Sequence, residues 1–181
     1  YTCGVTPSGG AYCWGRNTNG QLGDGSLTVR SNPTPVSGGL SFVDLTAGGN
    51  HTCGLTRTGT TFCWGANSSG QLGGAVPRVL SPTPVAGLTG VTALAVGDAY
   101  SCALASGIAY CWGYNDQGQL GIGSTSPRAL PDSVLVSLPY GSIAAGVFHT
   151  CVLSGNGAAW CWGNGQYGEL GTGLTSLLDS I

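Results

Sequence analysis

Eight cysteines, two histidines and a few carboxylates are the side chains of this 181-residue chain that could do chemistry. The cysteines fall into four pairs, Cys3 with Cys13, Cys53 with Cys63, Cys102 with Cys111 and Cys151 with Cys161, with eight or nine residues between partners and none left over. A zinc site would want short Cys-x-x-Cys knuckles, which do not occur, so the pairs read as disulfides and not as metal ligands. Disulfides imply an oxidising compartment, so the chain is expected to be secreted or on a cell surface. His51 and His149 hold one repeat position, and Tyr1 and Tyr100 hold it in the other copies. Tyrosine does not replace a catalytic base or an imidazole ligand, so these rings are expected to pack and hydrogen-bond at a strand start. Gln21, Gln71, Gln119 and Glu169 form a second series, expected to lock a corner by bonding to backbone. There is no Gly-x-Ser-x-Gly elbow, no leftover cysteine and no lysine for a phosphate cradle. The expectation is a protein that is not an enzyme, with no catalytic residue, cofactor or metal.

These residues are carried by a unit that is clearest from His51 to Gly73, HTCGLTRTGTTFCWGANSSGQLG. It reads as two short strands joined through Arg57-Thr58-Gly59. A three-residue loop ending in glycine is a favoured hairpin connection, because glycine accepts the positive φ it needs. Pairing centred on Thr58 sets Leu55 opposite Thr61, Gly54 opposite Phe62 and Cys53 opposite Cys63, within reach of a disulfide. The other side sets Trp64 over Thr52, bulky against small. The unit occurs four times. Trp14, Trp64, Trp112 and Trp162 each stand in Cys-Trp-Gly at intervals of 50, 48 and 50 residues, and Thr2, Ser101 and Thr150 are the small partners in the other copies. The third hairpin is one residue shorter, and its Ser106-Gly107 suits a two-residue turn that keeps Cys102 against Cys111. The four tryptophans are expected in the repeat core. Trp160, standing where Tyr12, Phe62 and Tyr110 stand, is expected there too.

A period near 50 means a propeller, a solenoid or an array. Each hairpin is followed by a corner, Asn-x-x-Gly-Gln-Leu-Gly at Asn17 to Gly23, Asn67 to Gly73 and Asn115 to Gly121. The fourth copy alters it to Gly165 with Gly168-Glu169-Leu170-Gly171. A Ser/Thr/Pro-rich connection then leads to a Pro-flanked strand such as Pro33 to Val36 or Pro82 to Val85. Proline cannot donate to a ladder, which assigns that strand to a sheet edge. A further apolar strand, Phe42 to Ala47, Val91 to Val96 or Ser142 to Ala145, precedes each later hairpin. The inventory is all-β: a β-propeller of four-stranded blades in a single repeat array, with repeats near 1–41, 42–90, 91–140 and 141–181.

Only 7% of residues are charged and the net charge is −2. Arg16, Arg30, Arg57, Arg78 and Arg128 are the only basic side chains apart from histidine and look scattered, which argues against nucleic acid as a partner. No run of 18 apolar residues occurs, so no membrane span is expected. Methionine is absent even from position 1, so the chain reads as processed or partial. Two glycosylation triplets occur, at Asn50 and Asn67. Asn67, in a corner, is the favoured acceptor, since Asn50 precedes a strand that reads as buried.

Asn-x-x-Gly-Gln-Leu-Gly after Trp-Gly, with Ala47-Gly48-Gly49-Asn50-His51-Thr52-Cys53 and Ala145-Gly146-Val147-Phe148-His149-Thr150-Cys151 before the hairpins, resembles the regulator of chromosome condensation repeat family. The resemblance covers nearly the whole chain and implies a seven-bladed propeller, of which roughly three and a half to four repeats are about half. The ring would then be completed by more chain or by another subunit. The family includes a nuclear exchange factor for a small GTPase, a plant ultraviolet-B photoreceptor and a secreted bacterial β-lactamase inhibitor, so it implies architecture better than activity. Paired cysteines depart from the nuclear branch and fit an extracellular one. The photoreceptor's tryptophans stand among arginines, a pattern this chain lacks.

Two functions follow. The first is an extracellular, non-catalytic recognition module. Its connections Asp24 to Asn32, Gly74 to Leu80 and Ile122 to Pro131 would form a rim that binds a protein partner. The second is a structural subunit of a cell-surface assembly or filament, stacked head to tail with further copies of itself. There Leu177 to Ile181 would pair with the next repeat, or with a neighbouring subunit at Tyr1.

Overall fold

Short runs rich in Thr, Val, Phe, Tyr and Trp, punctuated by glycine, give strands and tight turns, and no helix occurs among the described residues. A computed structural model describes residues 1–135 and 139–173, with the backbone of one last strand, Ser176–Asp179. Fifteen strands form four antiparallel sheets, the blades of an open propeller segment. The first blade has three strands, β1 (Thr2–Val5), β2 (Ala11–Gly15) and β3 (Arg30–Pro35). The second runs β4 (Phe42–Ala47), β5 (His51–Thr56), β6 (Thr61–Ala66) and β7 (Arg78–Pro84). The third has β8 (Val91–Val96), β9 (Tyr100–Ala105), β10 (Ile108–Gly113) and β11 (Arg128–Ser133). The fourth has β12 (Tyr140–Ala145), β13 (His149–Ser154), β14 (Ala159–Gly165) and β15 (Ser176–Asp179).

The hairpin registers agree with the expected ones: Cys53 opposite Cys63, Gly54 opposite Phe62 and Leu55 opposite Thr61 in the second blade. Thr2, Ser101 and Thr150 lie opposite Trp14, Trp112 and Trp162. Ser106 and Gly107 both have positive φ, 52° and 79°, as a two-residue hairpin turn requires. The proline-bearing strands β3, β7 and β11 are the outer edges. Beside each tryptophan the ladder to the edge strand slips by a bulge, as between Cys63 and Gly65, which sharpens the local twist.

The last strand corrects one expectation. Ser176–Asp179 pairs with β14, Gly163 opposite Asp179, so residues 177 to 179 close their own blade instead of reaching a further repeat. The reason is that every β-blade here needs an outer strand after its corner, and this stretch occupies that slot. Ser180 and Ile181 lie outside the described residues.

There is no single centre to the core; it is divided among the gaps between blades. One cluster joins Leu55, Leu72 and Val85 to Val91, Leu94 and Trp112 between the second and third blades. A second joins Leu104, Leu120 and Val134 to Tyr140, Val152 and Trp162 between the third and fourth. A smaller one sets Ala11 beside Phe42 and Trp64 between the first and second.

Candidate functional site

The corner motif positions everything else. Its asparagine uses both ends of the amide: Asn67 Oδ1 accepts from the Leu72 N–H at 2.8 Å, and Nδ2 donates to the carbonyls of Gly74 and Val76. Asn17 and Asn115 do the same to Leu22 and Leu120 and to their own connections. The glutamine side chain accepts from the backbone two residues earlier, Asn19 N–H to Gln21, Ser69 to Gln71 and Gln117 to Gln119, at 2.9 to 3.0 Å. Glu169 accepts from the Tyr167 N–H at 2.8 Å, so a carboxylate fills the same role.

What the sequence did not reveal is the use of the glutamine's main-chain carbonyl. Gln21 O accepts from Trp64 Nε1 at 3.0 Å and from Thr52 Oγ1 at 2.7 Å, both in the following blade. Gln71 O takes Trp112 Nε1 and Ser101 Oγ at 2.9 and 2.8 Å. Gln119 O takes Trp162 Nε1 and Thr150 Oγ1 at 2.9 and 2.8 Å. The tryptophan and the small residue opposite it therefore share one acceptor across the gap. The corner's last glycine seats the indole: a Cβ on Gly23 or Gly121 would lie 2.5 Å from Trp64 Nε1 or Trp162 Nε1. Trp64, Trp112 and Trp162 are fully buried. Trp14 is only half-buried, a correction to its place in the core, because among the described residues no corner lies against its face.

The strand-start rings are bolts between blades. The Tyr1 hydroxyl donates to the His51 carbonyl and sits 3.0 Å from Thr52 Oγ1; burial pushes it up to about 12. The Tyr100 hydroxyl donates to the His149 carbonyl and sits 3.0 Å from Thr150 Oγ1. His51 Nε2 meets Ser101 Oγ at 2.9 Å. Ser101 Oγ already donates to Gln71 O, so the imidazole N–H is the donor and His51 is neutral, held down to about pKa 4 by complete burial. The preceding glycine makes room for these rings: a Cβ on Gly48 would lie 2.6 Å from His51 Cε1. His51 is thus committed to a structural bond, and among the described residues no three His, Cys, Asp or Glu side chains are grouped to hold a metal.

All four cysteine pairs are bonded. Cys53, Cys63, Cys102 and Cys111 are fully buried against the next blade, whereas Cys151 and Cys161 are half-exposed. The preference for Asn67 as a glycan acceptor is overturned: it is buried and its Nδ2 is committed to two carbonyls. Asn50 is half-buried and accepts from Asn19 Nδ2 through Oδ1. Trp160 is also not core. It is 42% exposed and Tyr12 is 37% exposed, whereas Phe62 and Tyr110 at the same position are half-buried and pack against the core clusters.

Inner turns, corners and connections all follow the same ends of the strands and make one face. Near the axis, Ala47, Gly48, Gly49, Val96, Asp98 and Val147 help to line a shallow pit of about 350 Å³. Its turns are tied blade to blade, Gly49 N–H to Asp98 O at 3.1 Å and Asp98 N–H to Val147 O at 3.4 Å. The outer rim carries exposed Leu27, Val29 and Val76 in the connections, with exposed Leu130 beside it on edge strand β11. It is shorter than expected, since Arg30–Asn32, Arg78–Leu80 and Arg128–Pro131 belong to edge strands. The arginines are less scattered than they looked: Arg30, Arg78 and Arg128 each open an edge strand. Arg30 pairs with Asp24 at 2.8 Å and Arg128 with Asp132 at 3.0 Å. Burial pushes the Asp24 carboxyl up, but bonds from Arg30, Ser26 and Asn17 outweigh it and hold it below the usual carboxylate value.

The regulator of chromosome condensation (RCC1) repeat matches residues 8–55, 58–104 and 106–153, and a second form of that repeat matches 42–71 and 142–169. The chain belongs to this family. Human WBSCR16 is similar in structure, with a TM-score of 0.87 and 25% identity over 98% of this chain and 48% of its own. Prp20p of Saccharomyces cerevisiae, described with its binding to Gsp1p and histones, gives 0.84 and 25% over 95% of this chain and 45% of its own. Yeast RCC1 (Prp20) bound to Kap60 gives 0.78 and 25% over 91% and 42%. The chain thus spans less than half the length of these relatives. No curated protein matches it. RCC1-type repeats are protein-interaction modules, and the four disulfides fit an oxidising environment.

Proposed function

We propose that the chain is an extracellular, non-catalytic recognition module whose corner face, pit and rim together, binds a protein partner. The observation that carries this reading is the contrast within that face. The corners repeat one hydrogen-bond pattern, while the connections they hold differ in length and sequence and present Leu27, Val29 and Val76 to solvent, with Leu130 beside them on β11. Exposed apolar side chains on a rigid frame are the usual currency of protein recognition. The titratable groups favour binding over chemistry, since His51 is spent as a structural donor and Asp24 as an anchor for its loop. Relatives that bind Gsp1p, histones or Kap60 make a protein partner the natural class. Fully buried disulfides support an oxidising site of action.

The test is a rim variant, Val29→Asp, Val76→Asp and Leu130→Asp together, beside Arg57→Ala on the hairpin-tip face. A partner captured by the wild type from extracellular fluid should be lost with the rim variant and kept with Arg57→Ala. Capture that survives the rim variant would remove the proposal.

A further inference from the structure

Two internal seams of the outer rim are closed differently. Between the first and second blades, Leu80 of β7 lies over the first corner: a Cβ on Gly20 would meet its Cδ2 at 2.5 Å and its Cα at 3.3 Å. The first connection crosses the same seam, where the Gly25 N–H donates to Leu80 O at 3.0 Å. One side chain and one main-chain bond, both at the outer edge of β7, plug the gap.

The second and third blades repeat the frame without the plug. Gly65 stands opposite Val79 and Gly113 opposite Arg128, so Ala129 is the counterpart of Leu80. It holds that place against the corner, its Cα 2.6 Å from a Cβ built on Gly70, but it brings only a methyl group. The second connection has four residues, Gly74 to Pro77, where the first has six, Asp24 to Val29. Among the described residues no main-chain bond carries it to β11, so Ala129 O lacks the donor that Leu80 O has. What is left is a groove of about 320 Å³ between Ser68, Ser69, Gly70 and Gly74 on one side and Pro127 and Ala129 on the other. Val76 and Leu130 stand exposed beside it. The second and third blades each have a neighbour on both sides, so the groove belongs to a complete junction.

We infer that this groove takes an extended segment of a partner protein, carrying one leucine-sized side chain and laid along the outer edge of β11. The sister seam shows the fit. The guest side chain enters over Gly70 as Leu80 fills the gap over Gly20, and a guest N–H donates to Ala129 O as the Gly25 N–H does to Leu80 O. No charged side chain lines the groove, which matches an apolar guest residue. Pro127 and Pro131 have no N–H to offer and bracket the edge, which confines pairing to the short run Arg128 to Leu130. The inference rests on the rim being a recognition face, and it names what that face reads.

A random heptapeptide display library panned on the whole chain is the test. Recovered peptides should share one leucine, isoleucine or methionine, with no proline next to it. A recovered peptide, made synthetically, should bind about tenfold or more weakly to Ala129→Leu, which installs the chain's own plug. That variant should keep the wild-type melting midpoint, and Arg57→Ala should bind the peptide as the wild type does. N-methylating the peptide one amide at a time should find a position that costs about tenfold on the wild type, where the donor to Ala129 O is lost. If Ala129→Leu fails to fold, this scan alone decides. Peptides with no shared apolar residue, undiminished binding to a folded Ala129→Leu, or a scan with no sensitive amide would each overturn the inference. A protein partner lost with the rim variant but kept by Ala129→Leu would also sink it, while leaving the broader reading in place.

Discussion

The junction between the second and third blades and the bare face of the first blade are built from the same residues but not in the same state. Trp112 and Ser101 are sealed, because Gln71 O receives both their donors and Leu72 packs beside them. Trp14 and Thr2 have identical geometry within their own hairpin, yet the indole is half-buried and the threonine exposed. Burial of the tryptophan is therefore a property of the neighbouring corner and not of the hairpin that carries it. A blade is half of two sites, and its stability is shared with whatever stands beside it, as expected when nearest-neighbour interfaces dominate.

The sharpest way to break this contrast is to remove each indole in turn. Trp112→Ala should cost ~3 to 5 kcal/mol, the range for emptying a buried aromatic site, and Trp14→Ala should cost under ~1 kcal/mol. Denaturant midpoints at constant m-value measure both. Equal losses would mean the hairpin, and not the corner, holds the ring.

Acid should open the same junction next. His51 is held at about 4 against 6.5 in the open chain, so the folded state prefers the neutral ring. A depressed histidine contributes stability fully above its unfolded value and loses it as the pH falls from 6.5 through 4. The shift corresponds to on the order of 3 kcal/mol. His51→Gln should flatten the fall in melting midpoint across that window, leaving the steeper loss at lower pH where Asp24 and other carboxylates protonate. An unchanged slope would show that the ring is not the group responsible.

The disulfides sharpen the comparison by a rate. Each closes a loop of about ten residues, which gives just under ~3 kcal/mol in the chain-entropy account, so their equilibrium contributions should be alike. Access differs. Cys151–Cys161 borders the bare face of the fourth blade, while Cys53–Cys63 and Cys102–Cys111 are sealed under the next blade. Under mild reductant, mapped by alkylation, Cys151 and Cys161 should label first and the two sealed pairs only with global opening.

The legibility of the chain follows the same division. Everything inside one hairpin could be derived from residue types: the cysteine register, the Ser106-Gly107 turn, the proline edge and the glutamine lock are local consequences of period-two alternation and turn chemistry. What lay between units could not. Side-chain identity says that Gln71 is amide-bearing but not that its backbone carbonyl faces the next blade, and a main-chain acceptor leaves no mark in the residue type. The same blindness misplaced Asn67, whose triplet reads as a surface signal while its amide is spent indoors, and Trp160, whose size reads as core while its slot is open. The glycine three residues before His51, Tyr100 and His149 (Gly48, Gly97 and Gly146) was the one available clue, because a glycine under an aromatic ring marks close approach.

The smallest effect belongs to the corner acid. The three covered corners carry a buried glutamine, and the fourth carries a half-exposed Glu169. Both side chains offer an oxygen to the N–H two residues earlier, so the lock needs only an acceptor, not a charge. The backbone N–H groups of Glu169 itself and of Tyr167 hold the carboxyl below its ordinary value, with a small contribution from the nearby His149. Its stabilising part is thus present above the ordinary carboxylate range and disappears as acid protonates it. Glu169→Gln keeps the acceptor and removes that titration. The neutral-pH melting midpoint should fall slightly, toward the level the wild type reaches once Glu169 is protonated, and the loss on acidification should shrink. Gln119→Glu is the converse, placing a carboxylate where Gln119 is fully buried with its Nε2 unpartnered, and it should lower the midpoint at neutral pH and recover on acidification. If the two exchanges behaved alike, the covered and bare corners would be equivalent environments, and the shared-site account of the blades would not stand.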